Sequence, residues 1–326
     1  MAEITLVEAI NQALAYELAH DKEVVVLGED VGANGGVFRA TEGLLTRFGP
    51  ERVLDTPLAE AMIAGMAIGM AAQGLKPVAE FQFDGFMYPG FNQIINHAAR
   101  LRNRTRGRLT CPLVYRAPYG GGIHAPEHHS EGNEAFFAHI PGLRVVMPSS
   151  PARAYGLLLA AIREPDPVVF LEPKRIYRLV KQSVPDNGVA LPLDKCFVLR
   201  EGQDITLITW GAMTHETMNV AKNLDAQGIS AEVIDVATLK PLDMDTILNS
   251  VEKTGRCVII HEAPYSGGLG GEISAQIAEH SLLSLQAPIK RVTGYDVTMP
   301  YFQLEKSYIP NESRILAAVN SVMEFA

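Results

Sequence analysis

Apolar and polar positions follow two rhythms along this chain, and they alternate. Behind the capping box Thr5-Leu-Val-Glu8, residues Leu6, Ile10, Ala13, Leu14 and Leu18 recur at helical spacing. Glu23-Val-Val-Val-Leu27 then reads as a short apolar strand. The pattern predicts further strands at Arg52–Leu54, Pro77–Phe81, Pro112–Arg116, Leu143–Met147 and Val168–Glu172. Between them it predicts helices at Asn92–Arg104, Asn133–His139 and Pro151–Arg163, with Gly32–Gly49 glycine-rich and irregular in part. From Pro173 to Pro192 the period lapses. It resumes with strands at Ile205–Thr209, Ala231–Val236 and Cys257–Glu262, and helices at Thr214–Gln227, Asp243–Lys253, Glu272–Ser281 and Pro310–Phe325. Such alternation predicts parallel sheets covered by helices on both faces. We expect two α/β domains, at 1–175 and 196–326, joined by a linker at 176–195.

One stretch breaks the amphipathic rule. Asp55–Gly74 reads as a helix with Thr56 as N-cap, Pro57 at the first helical position and Gly74 as a left-handed stop. Its single ionisable residue between Pro57 and Gly74 is Glu60, so burial on most sides is expected. Gly65 and Gly69 lie four apart on one face, where another backbone could come close. The apolar run Ala61–Ala72 is too short to span a bilayer. A lone carboxyl in such a helix is either satisfied by the helix N-terminus and a neighbour, or stays protonated and donates a hydrogen bond.

Length and charge narrow the picture. The chain of 326 residues can form two ordinary domains, and a net charge of -9 argues against nonspecific nucleic-acid binding. The three cysteines, Cys111, Cys196 and Cys257, are far apart, which fits a reducing compartment without disulfides or a thiolate zinc site. Met-Ala-Glu-Ile-Thr lacks the features of a signal peptide, and no apolar run suggests a membrane span; the cytoplasm is the expected location.

Candidate chemistry falls in four places. Gly28-Glu29-Asp30 puts two carboxylates at a strand's carboxyl end, where open α/β sheets bind ligands. Phe83, Phe86, Tyr88 and Phe91 form either core or a stacking platform for a flat heterocycle. The loop Tyr119–Glu131 carries His128 and His129, which are either loop polarity or a source of one acid or base. Gly267-Gly-Leu-Gly-Gly271 precedes a helix but lacks dinucleotide spacing and a nucleotide-type lysine, so close backbone packing is expected there.

Taken together, the motifs are specific. Leu-Gly-Glu-Asp-Val (27–31), Gly-Gly-Val-Phe (35–38), Asp-Thr-Pro-Leu-Ala-Glu (55–60), Glu-Phe-Gln-Phe (80–83), His-Ser-Glu (129–131) and Pro-Gly-Leu-Arg-Val-Val (141–146) occur in order. Asp-Pro-Val-Val-Phe-Leu-Glu-Pro-Lys (166–174), Lys-Thr-Gly-Arg (253–256) and Arg-Val-Thr-Gly-Tyr-Asp-Val-Thr-Met-Pro-Tyr (291–301) follow. Over nearly its whole length the chain resembles the beta subunit of the thiamine-diphosphate-dependent first component of 2-oxo acid dehydrogenase complexes.

The resemblance implies a transketolase-type pyrimidine-binding domain followed by a transketolase C-terminal-like domain. It implies a heterotetramer of two alpha and two beta chains that passes acyl groups to the lipoyl groups of a dihydrolipoyl acyltransferase core, with no nucleic-acid or membrane partner. The alpha chain would hold the diphosphate and magnesium through a Gly-Asp-Gly motif, which is absent here. By the same likeness Glu60 bonds the pyrimidine ring nitrogen of thiamine diphosphate, Phe86 stacks on that ring, and Glu29, Leu58 and Gln82 lie beside it. His129, rather than His128, matches the histidine of reductive acylation. Leu113, Ala161, Ile162, Glu164 and Asp166 match a structural potassium site built largely of carbonyl oxygens, although Pro165 alters that loop. In the implied reaction, Glu60 exchanges a proton with the pyrimidine and so activates the cofactor toward a 2-oxo acid. That needs a carboxyl pKa raised a few units from about 4.3; desolvation would supply the rise and the helix dipole would oppose it. Pyruvate is the expected substrate. A branched-chain 2-oxo acid or acetoin is the alternative within the family, and a non-catalytic structural or regulatory subunit the alternative outside it.

Overall fold

Thr5 starts the first long helix as its sequence predicts. Its hydroxyl accepts from the Glu8 N–H at 3.4 Å, and the Glu8 carboxylate accepts from the Thr5 N–H at 2.7 Å. The computed structural model describes residues 3–325; Met1, Ala2 and Ala326, at the ends of the two expected domains, lie outside the described residues. The chain forms two compact units. One takes the chain up to Tyr119 together with Phe136–Leu193, and the other takes Gly120–Ala135 together with the chain from Asp194 onward.

The first unit opens with β1 (Glu3–Thr5), α1 (Leu6–His20), β2 (Val24–Gly28), α2 (Leu44–Phe48), β3 (Val53–Asp55), α3 (Glu60–Ala72) and β4 (Lys76–Glu80). After a 3-10 segment (Asp84–Gly90) come α4 (Phe91–Asn96), α5 (Leu101–Arg104) and β5 (Val114–Tyr119). The short α6 (Glu134–Ala138) crosses the boundary between units, and β6 (Arg144–Val146), α7 (Pro151–Arg163), β7 (Val168–Pro173) and β8 (Lys181–Ser183) follow. Its sheet runs β6-β7-β5-β4-β2-β3. Every neighbouring pair in that order is parallel, and β2, β5 and β7 are buried from end to end, as expected for a sheet covered on both faces. The Ser150 hydroxyl caps α7 with Pro151 in its first turn, and α7 buries Ala154, Leu157, Leu158 and Ala161. It packs on α1, where Arg163 bonds Glu17 at 2.7 Å.

Four expectations for this unit are corrected. The central helix starts at Glu60, not Pro57; Ala59 takes the N-cap position and no side chain caps it. The helix does end as predicted, with Gly74 at φ 93° just beyond it. It is also less enclosed than its composition suggests, since Ala61, Met62 and Gly69 are exposed on one face. The expected helix at Asn92–Arg104 is broken at His97–Arg100. There the chain at Gly142 comes so close that a Cβ would lie 2.1 Å from the Ala99 carbonyl oxygen. Finally, the segment expected as a linker contains β8, which pairs antiparallel with β1 through Glu3–Ser183, Ile4–Gln182 and Thr5–Lys181.

The second unit contains β9 (Phe197–Arg200), β10 (Ile205–Thr209), α8 (Met213–Asp225), β11 (Ala231–Asp235), β12 (Thr238–Lys240), α9 (Met244–Thr254), β13 (Cys257–Pro264), α10 (Leu269–Ser281), β14 (Lys290–Gly294), α11 (Phe302–Tyr308) and α12 (Glu312–Met323). A five-stranded sheet runs β14-β13-β10-β11-β9. It is parallel except for β9, which pairs antiparallel with β11 at the edge. The strand–helix alternation anticipated β10, β11, β13 and the helices between them; the short β9, β12, β14 and α11 carry too few apolar repeats to register. Asp243 caps α9, and Gly255, left-handed at φ 68°, ends it with an N–H bond to the Val251 carbonyl. Ile205, Leu207, Val233, Val258 and Ile260 from the sheet meet Val220, Leu224, Ile315 and Val319 from α8 and α12 in the core. All three cysteines are free. Among the described residues no helix is long and apolar enough to cross a membrane.

Candidate functional site

The carboxyl ends of β2 and β4 gather the acidic and aromatic residues of the first unit. Past Gly28 the backbone turns sharply, with Asp30 at φ 60°. The turn brings Glu29 into the fields of Asp30 and Glu60; burial first, and then repulsion from these two carboxylates, raises the Glu29 pKa. The Gln82 amide donates to Asp30 at 3.3 Å, which ties the end of β4 to the same group. Glu29, Asp30, Glu60 and Gln82 therefore share one edge of the sheet. Nearby, the Asp55 carboxylate accepts from the Gly32 and Ala33 N–H groups at 2.6 and 3.1 Å and fixes the loop after β2.

Glu60 occupies the first turn of α3 and is half-buried rather than enclosed. Full desolvation of this carboxyl, expected from the apolar helix, is not reached within the single chain. The 3-10 segment at 84–90 packs against α3 so closely that a Cβ on Gly90 would sit 3.2 Å from the Glu60 carbonyl. That segment carries Phe86, half-exposed and edge-on to the buried Phe83 at 5.5 Å between centroids. Phe83 in turn meets Phe38 at 5.6 Å, and Phe38 meets Tyr177 at 5.2 Å. The aromatic cluster is thus core at one end and accessible at the other. Leu58, on the turn before α3, is 72% exposed. Carboxyls that can donate or accept, an amide and an accessible aromatic ring fit a neutral amino-heterocycle such as a pyrimidine.

Behind this edge lies a network that the sequence reading missed. Arg116, 1% exposed, donates to Glu172 from Nε at 2.6 Å and from Nη2 at 2.9 Å, and to Glu80 from Nη1. The Tyr177 hydroxyl donates to Glu172 at 2.5 Å. Burial raises the Glu80 pKa and Glu172 adds to the rise, while Arg116 opposes it. Burial also works against the Arg116 charge, but the two carboxylates outweigh it and hold the guanidinium protonated. Tyr177, which also meets the Phe38 ring, links this network to the aromatic cluster, where Lys174 lies 5.8 Å over the Phe83 ring. Its sequence signal was a charge within or at the end of three apolar strands: Glu80 in β4, Arg116 in β5 and Glu172 in β7.

In the second unit, His129 lies in a short turn and is half-buried. Its N–H bonds the Pro126 carbonyl at 3.0 Å, while His128 is exposed with Nδ1 3.7 Å from Glu131. The glycine run before α10 packs as expected: a Cβ on Gly268 or Gly270 would each come within 2.7 Å of the His261 ring.

The carbonyl-rich loop of the first unit brings Leu113 beside residues 161–166. The Leu113 carbonyl accepts from Val168 at 3.0 Å and the Ala161 carbonyl from Glu164 at 3.4 Å, which leaves each a further lone pair. Ile162 is buried, Asp166 is paired with Arg102 at 2.6 Å, and Glu164 lies 3.5 Å from Arg144. With both carboxylates matched by arginines, the remaining donors are neutral oxygens, which suit a monovalent cation better than a divalent one. Among the described residues no group of three or more His, Cys, Asp or Glu could hold a metal ion.

Comparison with known proteins agrees with this architecture. The transketolase pyrimidine-binding domain family matches residues 2–180, and the transketolase C-terminal domain family matches residues 194–315. The chain is 50% identical over 322 residues to the pyruvate dehydrogenase E1 component subunit beta of Acholeplasma laidlawii, covering 99% of this chain and 98% of that one. It is 48% identical over 325 residues to the protein of the same name from Bacillus subtilis, covering 100% of both. A solved split-gene transketolase, described as an inactive beta4 tetramer, superposes with a TM-score of 0.82 at 25% identity, covering 99% of each chain.

Proposed function

The chain belongs to the family of pyruvate dehydrogenase E1 component beta subunits, built from transketolase-type pyrimidine-binding and C-terminal domains, and from that premise we propose that it forms the pyrimidine half of a thiamine-diphosphate site. It acts in the cytoplasm with an alpha subunit that holds the diphosphate and magnesium. Together they oxidatively decarboxylate pyruvate and pass the acetyl group to a lipoyl group of the acyltransferase core. The observation that carries this reading is the meeting of Glu29, Asp30 and Glu60 at the end of β2, with the segment that bears the half-exposed Phe86 packed against α3.

The bound cofactor supplies the electron sink that lets carbon dioxide leave a 2-oxo acid. This chain's residues prepare it. Glu60 exchanges a proton with the pyrimidine ring nitrogen, and the alpha subunit completes the exclusion of water that α3 leaves unfinished. Glu29, whose proton affinity burial already raises, keeps the local charge low enough for that exchange. Phe86 presents the ring face on which the pyrimidine stacks, Gln82 orients Asp30, and exposed Leu58 packs beside the cofactor. His129 serves the later transfer of the acyl group to lipoate as an acid or base.

In the reconstituted alpha–beta enzyme, Glu60→Gln abolishes nearly all decarboxylation of pyruvate while the subunits still assemble. Unchanged turnover overturns the assignment, and a panel of pyruvate, 2-oxoisovalerate and acetoin on the wild type identifies the substrate. The carbonyls around Leu113, Ala161 and Ile162, with Glu164 and Asp166, are assigned to potassium. Replacing potassium by choline lowers the melting temperature by a few degrees, corresponding to about 1 kcal/mol; no change removes that assignment.

A further inference from the structure

The loop Gly120–Ala135 is held within the second unit by two carboxylates that play no part in the chemistry above. Glu262, near the end of β13, accepts from the Gly121 N–H. Glu305, on α11, accepts from the Gly122 N–H at 2.7 Å and from the His124 N–H at 3.3 Å to each oxygen. The two carboxylates are only 6% and 2% exposed, and backbone N–H donors meet their buried charge. The glycines make this approach possible. Gly120 sits at φ 81°, where a Cβ would come 2.7 Å from Glu262 Oε1, and a Cβ on Gly121 would lie 2.5 Å from Met299 Cε. Three glycines in a row would suggest a hinge, but here they let the backbone reach two fixed acceptors.

The rest of the loop is braced from these points. The Gly120 N–H donates to the Glu131 carbonyl at 3.1 Å and closes the base. His129 stands two residues before that closure, in a turn whose N–H groups at His129 and Ser130 bond Pro126 and Glu127 at 3.0 and 2.9 Å. It is therefore bracketed by the Glu305–His124 bonds on one side and the Gly120–Glu131 bond on the other.

We propose that Glu262 and Glu305 are positioning residues: by gripping the glycine stem of the loop they set the place of His129 for acyl transfer to lipoate. The proposal rests on the role assigned to His129 above. It sets these two acids apart from Glu29, Asp30 and Glu60, because they act through backbone N–H groups and their acceptor oxygens matter rather than their protons.

The test uses the assembled enzyme with a lipoyl domain and compares two rates: acylation of that domain, and pyruvate decarboxylation with an artificial electron acceptor. Glu305→Ala lowers kcat for lipoyl acylation by about a hundredfold, the scale of a misplaced group, with KM for the lipoyl domain changed less than about threefold and decarboxylation affected far less. Glu305→Gln and Glu262→Gln, whose amide oxygens still accept the same N–H groups, retain most of the acylation rate. Glu262→Ala removes the acceptor of the Gly121 N–H, leaves the Glu305 bonds intact and reproduces the acylation loss even if Glu305→Ala does not assemble. Wild-type acylation in Glu305→Ala or in Glu262→Ala overturns the proposal, provided His129→Ala has lost it. Wild-type acylation in His129→Ala removes the role of His129 itself, and the positioning role with it.

Discussion

The two sheets end differently. In the first unit, Glu29 and Asp30 follow β2, Glu80 ends β4, Arg116 sits within β5 and Glu172 lies near the end of β7, and two of these carboxyls have raised pKa values because burial and like charges crowd them. In the second, the polar groups between β10 and α9 are the hydroxyls of Thr206, Ser250 and Thr254, bonded to one another at 2.7 and 2.8 Å, and β13 carries a histidine kept neutral. Both are α/β sheets with buried polar groups, and the second also buries Glu232, Asp235 and Glu262, but among the described residues only the first joins two carboxylates around a buried arginine. A folding unit can satisfy its interior with neutral hydroxyls at little cost; buried charge brings a desolvation penalty that packing alone gives no reason to keep. The contrast sets the arginine-centred network of the first sheet apart from the hydroxyl cluster of the second.

Removing the centre of the charged network is the sharpest way to break that contrast. Arg116→Met strands Glu80 and Glu172 without their cation and costs about 3–5 kcal/mol of stability, measured by denaturant unfolding. Thr206→Val, the matching cut in the second sheet, costs about 1 kcal/mol. Equal losses would mean that the charges are no more demanding than the hydroxyls, and the distinction between the sheets would fail.

This network also shows where reading a sequence stops. The period of apolar positions reveals β2, β4, β5, β7, β10, β11 and β13, and Ser150-Pro151 announces α7, because those signals are local. Glu80 and Arg116 become neighbours only when β4 and β5 pair in the register that puts them opposite each other, and Glu172 joins them across β5 and β7. No spacing along the chain encodes that. The same holds for β1 and β8, which find each other across more than 170 residues, and for the glycine loop, whose anchors Glu262 and Glu305 lie far downstream. Thr56-Pro57 carries a proper start signal, but the turn that bears Leu58 delays the helix to Glu60. The motif-level resemblance singled out Glu60, Phe86 and His129 as candidates; the apolar period by itself left each of them two meanings.

The second unit also carries a buried ring that makes its stability sensitive to acid. The His261 ring is fully buried, stacked on Trp210 at 5.0 Å between centroids and 10° between planes. Burial, with the Arg291 charge adding to it, lowers its pKa from 6.5 to about 3. Above pH 6.5 the ring is neutral in both folded and unfolded chains and contributes no pH dependence. Between 6.5 and about 3 the unfolded chain binds a proton that the folded chain refuses, so stability falls with pH by about 1.4 kcal/mol per unit in that window. His261→Phe keeps a flat ring against Trp210 and removes that slope. The check is unfolding free energy against pH for both proteins; parallel curves would show that the histidine is not held neutral.

The smallest effect separates the chain alone from the chain in its assembly. Gly69 lies on the exposed face of α3, and a Cβ there would meet nothing within 4 Å; at Gly65 it would touch the Gln93 side chain at an ordinary 3.7 Å. In the isolated chain, Gly69→Ala therefore stabilises α3 by about 0.5–1 kcal/mol, through the backbone entropy that glycine loses in a helix, and the melting temperature rises accordingly. Nothing among the described residues explains why so poor a helix former stands there. If the alpha subunit lays a backbone against this face, the added methyl group separates the two surfaces, and the dissociation constant of the alpha–beta assembly rises although the free subunit is more stable. Opposite signs in the two measurements place the partner on α3, next to Glu60, where water must be excluded. A gain in both would leave that face uncovered and Glu60 half-exposed in the working enzyme, and the carboxyl could not then hold its proton through desolvation.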